Sequence, residues 1–140
     1  MNDYKWDEID LKNEYSASFQ TTITDEMMDS FMALSGDKNP LHTDTDFAQM
    51  GGFESRVVYG MLASSLYSRL AGMYLPGKYC LLQRVDSHFH KPVYIGDTLT
   101  VIGFIKKKVE MGNTLVIAAE IKNQDGEVVN SAKIEAGCLK

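Results

Sequence analysis

Asp37 and His42 place a carboxylate and an imidazole five positions apart, the pairing in this sequence best suited to moving protons. Held around one water molecule, such a pair can withdraw a proton from it and hand a proton back. Both lie in the run Ser35-Gly36-Asp37-Lys38-Asn39-Pro40-Leu41-His42. Gly36 can end a preceding helix in a left-handed conformation, and Pro40 pushes Asn39 out of helical geometry, so the run cannot relax into one continuous helix. A kinked loop of this kind can turn Asp37 and His42 toward a single cavity. Read singly, each has a plainer explanation: an Asp after a helix-ending Gly is often a turn former, and an isolated His is usually a surface or core residue. Asn39, between them, suits bracing the loop through its side-chain amide.

Other chemistries find less support. His88 and His90 fall on one face of a strand, but no Cys or carboxylate stands at a supporting spacing, so no metal site is expected. Cys80 and Cys138 form neither a close ligand pair nor a disulfide framework and read as buried free thiols. A Gly-x-Ser-x-Gly nucleophile motif, a phosphate loop and a dinucleotide fingerprint are all absent, and no cofactor is expected. The net charge of -5 argues against a nucleic-acid partner. Lys106-Lys107-Lys108, the one dense basic stretch, reads as a solvated strand end rather than an anion site. Residues 1–12 are polar and acidic without a signal-like apolar segment, and no apolar run is long enough to span a bilayer, so a cytoplasmic protein away from membranes is expected. With 140 residues and 44% hydrophobic content, the chain suits one domain, residues 1–140, around one core.

The elements that would position the pair follow from periodicity. Residues 15–22 form a plausible first strand. Thr24 caps a helix with Asp25 and Glu26 in its first turn, where carboxylates suit the positive end of the helix dipole, and Gly36 stops it. A short helix fits residues 44–50. The next helix, from Gly60 to Met73 or Tyr74, mixes Met61, Leu62, Leu66 and Leu70 with Ala63, Ser64, Ser65, Ser68 and Ala71. Arg69 is its single charge. A helix apolar or small nearly all round is expected to be buried. Beyond Pro76 the chain reads as strand: residues 79–93, 98–106, 114–122 and 127–139. Hairpin signals at Gly112-Asn113 and Asp125-Gly126 suggest antiparallel pairing in sequence order. A helix followed by an antiparallel sheet is an α+β arrangement.

The loop, together with Phe47-Ala48, the run Phe53 to Leu62, Ser65-Leu66-Tyr67-Ser68, Leu75-Pro76-Gly77, Phe89-His90-Lys91-Pro92-Val93 and Gly96-Asp97-Thr98-Leu99, resembles the MaoC-like, (R)-specific enoyl-CoA hydratases over nearly the whole chain. In that family a Gly-Asp-x-Asn-Pro-x-His loop carries the catalytic Asp and His, and this sequence matches each fixed position. The resemblance implies a hot-dog fold, with the sheet wrapped around the central helix, in a homodimer joined sheet edge to sheet edge. It also implies reversible (R)-specific hydration of trans-2-enoyl thioesters carried on coenzyme A or on acyl carrier protein. Asp37 and His42 would be catalytic, with base and acid roles unassigned, and the Gly60 N–H would polarise the thioester carbonyl. Asn39, Tyr59 and Ser68 would line the substrate site, Ser68 serving equally well as a small packing residue. Tyr59 stands where the family commonly has His; packing is its expected role and its hydroxyl is expected to be dispensable. Two alternatives use the same ligands. A hot-dog thioesterase would usually carry a carboxylate on the central helix, where this chain has none, and a non-catalytic acyl-thioester-binding module would not need the Asp37 and His42 pair.

Overall fold

A computed structural model describes all 140 residues. Its elements are β1 (Ser16–Thr22), α1 (Asp25–Ser35), α2 (Pro40–Thr43), α3 (Thr45–Met50), α4 (Gly60–Met73), β2 (Cys80–Phe89), β3 (Thr98–Val109), β4 (Thr114–Lys122) and β5 (Val128–Cys138). Thr24 caps α1 by accepting the Met27 N–H at 3.2 Å. Gly36 ends the helix with φ 74°, a left-handed conformation that costs glycine little.

The strands form one antiparallel sheet in the order β1-β3-β4-β5-β2. The two hairpins β3–β4 and β4–β5 pair in sequence order, as the turn residues indicate. β2 departs from that order: it pairs with β5 rather than with β3, and so becomes an edge strand. The tight turns lie between β3, β4 and β5. Residues 90–97, with Pro92 and Gly96, cross from one edge region to the other side of the sheet instead of closing a hairpin.

α4 packs across one face of this sheet. Leu62, Tyr67 and Leu70 meet Val101, Leu115, Ile117 and Ile134 in a single core, where each buried aliphatic side chain is worth about 1.5–3 kcal/mol over an exposed one. β4 alternates as its sequence predicts, with Leu115, Ile117, Ala119 and Ile121 buried. α4 itself is not buried all round. Met61 (64% exposed), Ser65, Ser68, Arg69 and Met73 line an open face, because the sheet covers only one side of the helix.

The N-terminal segment joins the core through Trp6 and Ile9. Lys108 fixes it there, its ammonium donating to the carbonyls of Trp6 and Ile9 at 2.8 Å each and lying 4.3 Å from the Trp6 ring centroid. This corrects the reading of the lysine run for Lys108, which is a bracket for the N-terminus rather than a solvated strand end. Lys106 and Lys107 remain exposed. No helix is long and apolar enough to cross a membrane.

Candidate active site

The loop from Ser35 to His42 is a series of nested turns. The Ser35 hydroxyl donates to the Phe31 carbonyl at 2.7 Å and accepts the Asp37 N–H at 3.1 Å. Asp37 Oδ1 accepts the Asn39 N–H at 3.0 Å, and Asn39 Oδ1 accepts the Leu41 N–H at 2.9 Å. Asn39 is thus the N-cap of the single-turn α2, with Pro40 at its first position, where a missing N–H costs nothing. These bonds occupy one carboxylate oxygen of Asp37 and leave the other free. They also tie the Asn39 side-chain oxygen to the loop backbone, so it braces the loop.

A strap formed by residues 56–59 locks the loop from the other side. Arg56 donates to Asp25 Oδ1 at 2.8 Å, the Val57 N–H bonds the Leu41 carbonyl at 3.0 Å, and the Val58 N–H bonds the Val93 carbonyl at 2.8 Å. The Val57 carbonyl lies 2.7 Å from His42 Nδ1. A carbonyl only accepts, so Nδ1 carries a proton, and in the neutral ring Nε2 is left as an acceptor.

Tyr59 is 2% exposed and supports both halves of the pair. Its ring lies under the His42 imidazole, with centroids 4.1 Å apart, and against Phe31 at 4.8 Å. Its hydroxyl donates to the Asp37 backbone carbonyl at 2.6 Å. Burial, and then the neighbouring Asp37 charge, push the phenol above its ordinary value, so it stays a donor at neutral pH. The sequence favoured a packing role with a dispensable hydroxyl. The structure gives the hydroxyl a partner in the loop.

Two clefts open onto this assembly. One, of about 360 Å³, is lined by Phe31, Ser35, Asp37, His42, Tyr59, Gly60, Met61 and Phe89. The pair therefore does face one cavity. The other, of about 350 Å³, reaches inward past Phe53, Ala63, Val93 and Asn130, and shares His42, Gly60 and Phe89 with the first. Gly60 is the first residue of α4, so its N–H has no acceptor within the helix and carries the positive end of the helix dipole. A side chain at Gly60 would meet the Phe89 ring, whose Cε1 stands 2.8 Å from where its Cβ would be.

Ser68 is not among these lining residues. About two turns along α4 from Gly60, it lies on the open face of the helix, outside both clefts. Sequence reasoning missed a buried polar cluster at the base of the inner cleft. Asn130, 1% exposed, accepts from the hydroxyls of Tyr67 at 2.8 Å and Ser87 at 2.9 Å, and Ser87 pairs with Ser64 at 2.7 Å. The signal was present: Asn130 is a polar residue at an alternation position that should be apolar.

The two histidines on β2 and just beyond it have local partners. His88 Nε2 lies 3.4 Å from Asp86, and His90 Nε2 pairs with the Ser131 hydroxyl at 2.7 Å. Neither ring joins the Asp37 and His42 cleft as a base, although His90 lines the inner one.

A sheet crossed by a helix whose N-terminus meets an Asp/His loop defines a class, and comparison with known proteins agrees. The family description "MaoC like domain" matches residues 8–127, and the chain belongs to that family. It is 36% identical over 118 residues to an (R)-specific enoyl-CoA hydratase of Rhodospirillum rubrum, an alignment covering 80% of this chain and 82% of that one. It is 41% identical over 77 residues to a mitochondrial 3-hydroxyacyl-[acyl-carrier-protein] dehydratase of Arabidopsis thaliana, covering 55% of this chain and 45% of the longer plant protein. An unliganded R-hydratase from Pseudomonas aeruginosa superposes with a TM-score of 0.87 at 28% identity, over 97% of this chain and 86% of that one. The fold is the hot-dog fold.

Proposed function

We propose that this chain, residues 1–140 acting as one domain, is a hydro-lyase that adds water to trans-2-enoyl thioesters to give (R)-3-hydroxyacyl thioesters, and runs the reverse dehydration. The observation that carries this reading is the shared cavity of Asp37 and His42, with His42 Nδ1 tied to Val57 and Nε2 free. The free oxygen of Asp37 and the Nε2 of His42 are both acceptors, so together they can hold the two hydrogens of one water and leave its lone pair directed at the substrate. As the water oxygen bonds to C3, one member of the pair takes the water proton. That proton is then delivered to C2, so the thioester gains one hydroxyl and one hydrogen and the pair is returned unchanged. Each such transfer is typically worth about 10²–10⁴-fold.

Charge that builds on the thioester oxygen during the addition would be met by the Gly60 N–H at the start of α4. Donors of this kind are typically worth about 10²–10³-fold in turnover. No residue in this scheme requires a cofactor.

The carrier in this proposal is coenzyme A, the carrier in the Rhodospirillum relative's name. Acyl carrier protein, in the plant relative's name, presents the same pantetheine arm. Crotonyl thioesters of each carrier, followed by loss of the conjugated-enoyl absorbance together with free-thiol release, test the assignment. Absorbance loss without thiol supports hydration. Thiol release would instead identify a thioesterase, and neither signal a binding module. The absence of any Asp or Glu along α4 disfavours the thioesterase.

The working unit is proposed to be a homodimer. β2 is an edge strand, paired with β5 on one side only and carrying exposed Leu81, Leu82 and Val85, and the open face of α4 adds Met61 and Met73. A second copy would cover both surfaces and satisfy the free backbone groups of the edge.

A further inference from the structure

Phe89 lies at the one place where the two clefts meet. It lines both, and the other two residues that do so are His42 and Gly60, which belong to the proposed reaction centre. The ring packs so tightly on the bare Cα of Gly60 that even a methyl group there would collide with it. Its anchoring within the chain is slight: it is the last residue of β2 and 57% exposed in the single chain, so no other element of the chain clamps the outer side of the ring. Each cleft alone is at the small end of ligand cavities, which run from about 300 to 1,000 Å³. An acyl thioester with a long chain on one side of the carbonyl and a pantetheine arm on the other needs both.

We infer that Phe89 is a specificity-determining partition. With its ring seated on Gly60 the two clefts are separate and short acyl groups fit; with the ring displaced the clefts join and a long acyl chain can pass the reaction centre. This inference rests on the acyl-thioester reading above, and the ring acts by occupying space, not by touching the reacting bond.

Binding measurements test the inference apart from turnover. Calorimetric titration of butyryl-CoA and decanoyl-CoA into the full-length wild type, Phe89→Ala and Phe89→Trp is the direct assay. Phe89→Ala is expected to improve decanoyl-CoA affinity relative to butyryl-CoA at least tenfold, and Phe89→Trp to shift the ratio the opposite way. An unchanged ratio in Phe89→Ala, or equal changes for both ligands, overturns the partition. The two failures are distinguishable: a wild type that binds both ligands but leaves crotonyl-CoA unhydrated removes the hydratase reading, while the ratio still reports on Phe89.

Discussion

His42 has its tautomer set by a backbone carbonyl. With Nδ1 held by Val57, the imidazole presents Nε2 to the cavity that Asp37 also lines. Asp37→Asn and His42→Gln keep size while removing the acceptor or the titrating ring. Each is expected to lower crotonyl-CoA turnover by at least about 10², the lower range of a lost proton transfer, with the melting temperature held in Asp37→Asn and modestly lowered in His42→Gln, which gives up the Val57 bond and the stacking on Tyr59. Retention within a few fold would make that residue structural. Tyr59 gives a graded case. Tyr59→Phe keeps the ring under His42 but removes the donor to Asp37's carbonyl, a bond of about 1 kcal/mol, so full transmission of the loss through the loop lowers turnover roughly fivefold. Unaltered kinetics would mean that the hydroxyl does not position Asp37. At this scale the Asp and His types and their spacing were legible. The target of the Tyr59 hydroxyl was not, because it lies 22 positions away in sequence and only the folded strap brings it there. Ser68, read as either a site-lining or a packing residue, lies on the open face of α4; a helical position states no direction until the sheet chooses which face to cover.

Helix limits were readable where a cap or a glycine marks them, as at Thr24, Gly36 and Gly60. Strand partners were readable only across tight turns. Nothing local in β2 tells that its partner is β5, which begins nearly forty residues after β2 ends and pairs Phe89 with Asn130. That pairing also explains Asn130, which sits where β5 passes beneath α4 and satisfies hydroxyls from both the helix and β2. Burial, followed by the Glu120 charge, holds the Tyr67 hydroxyl well above an ordinary phenol, so it remains a donor to Asn130. Asn130→Ala would leave the buried Tyr67 hydroxyl without its acceptor, at about 1–3 kcal/mol, and would remove one of the two partners of the part-buried Ser87 hydroxyl, which keeps Ser64. Urea denaturation should show a clear fall in midpoint with an unchanged slope. A midpoint within error of wild type would mean that water replaces the amide without cost.

At the scale of the whole molecule, the single chain leaves the β2 edge of its open sheet and one face of its central helix uncovered, a combination that invites either aggregation or a defined partner. Sedimentation of the wild type at micromolar concentration is expected to give a dimer. Val85→Lys places a charge on the β2 edge, where Val85 is partly exposed, and should shift the species toward monomer. A wild-type monomer with full activity would refute the dimer proposal. The α+β class and the apolar alternation of β4 were visible in the sequence, whereas the open face of α4 was not: a string of small and apolar residues looks equally buried whether sheet or a second subunit covers it.

The strap residue Val57 bonds the loop through Leu41 and His42, forms a bridge to Tyr94, and is followed at once by Val58 on Val93. Its consequence concerns the slow fluctuations of the molecule. A loop tied in this way cannot fray by itself, since releasing His42 means breaking bonds that belong to the sheet's own crossover. The Val57 and Val58 amides should therefore exchange with deuterium in the same slow class as amides of β4 and β5, not with the fast class typical of exposed loops. Rapid exchange at Val57 would show that the loop opens as a unit of its own, with Asp37 and His42 held together only part of the time.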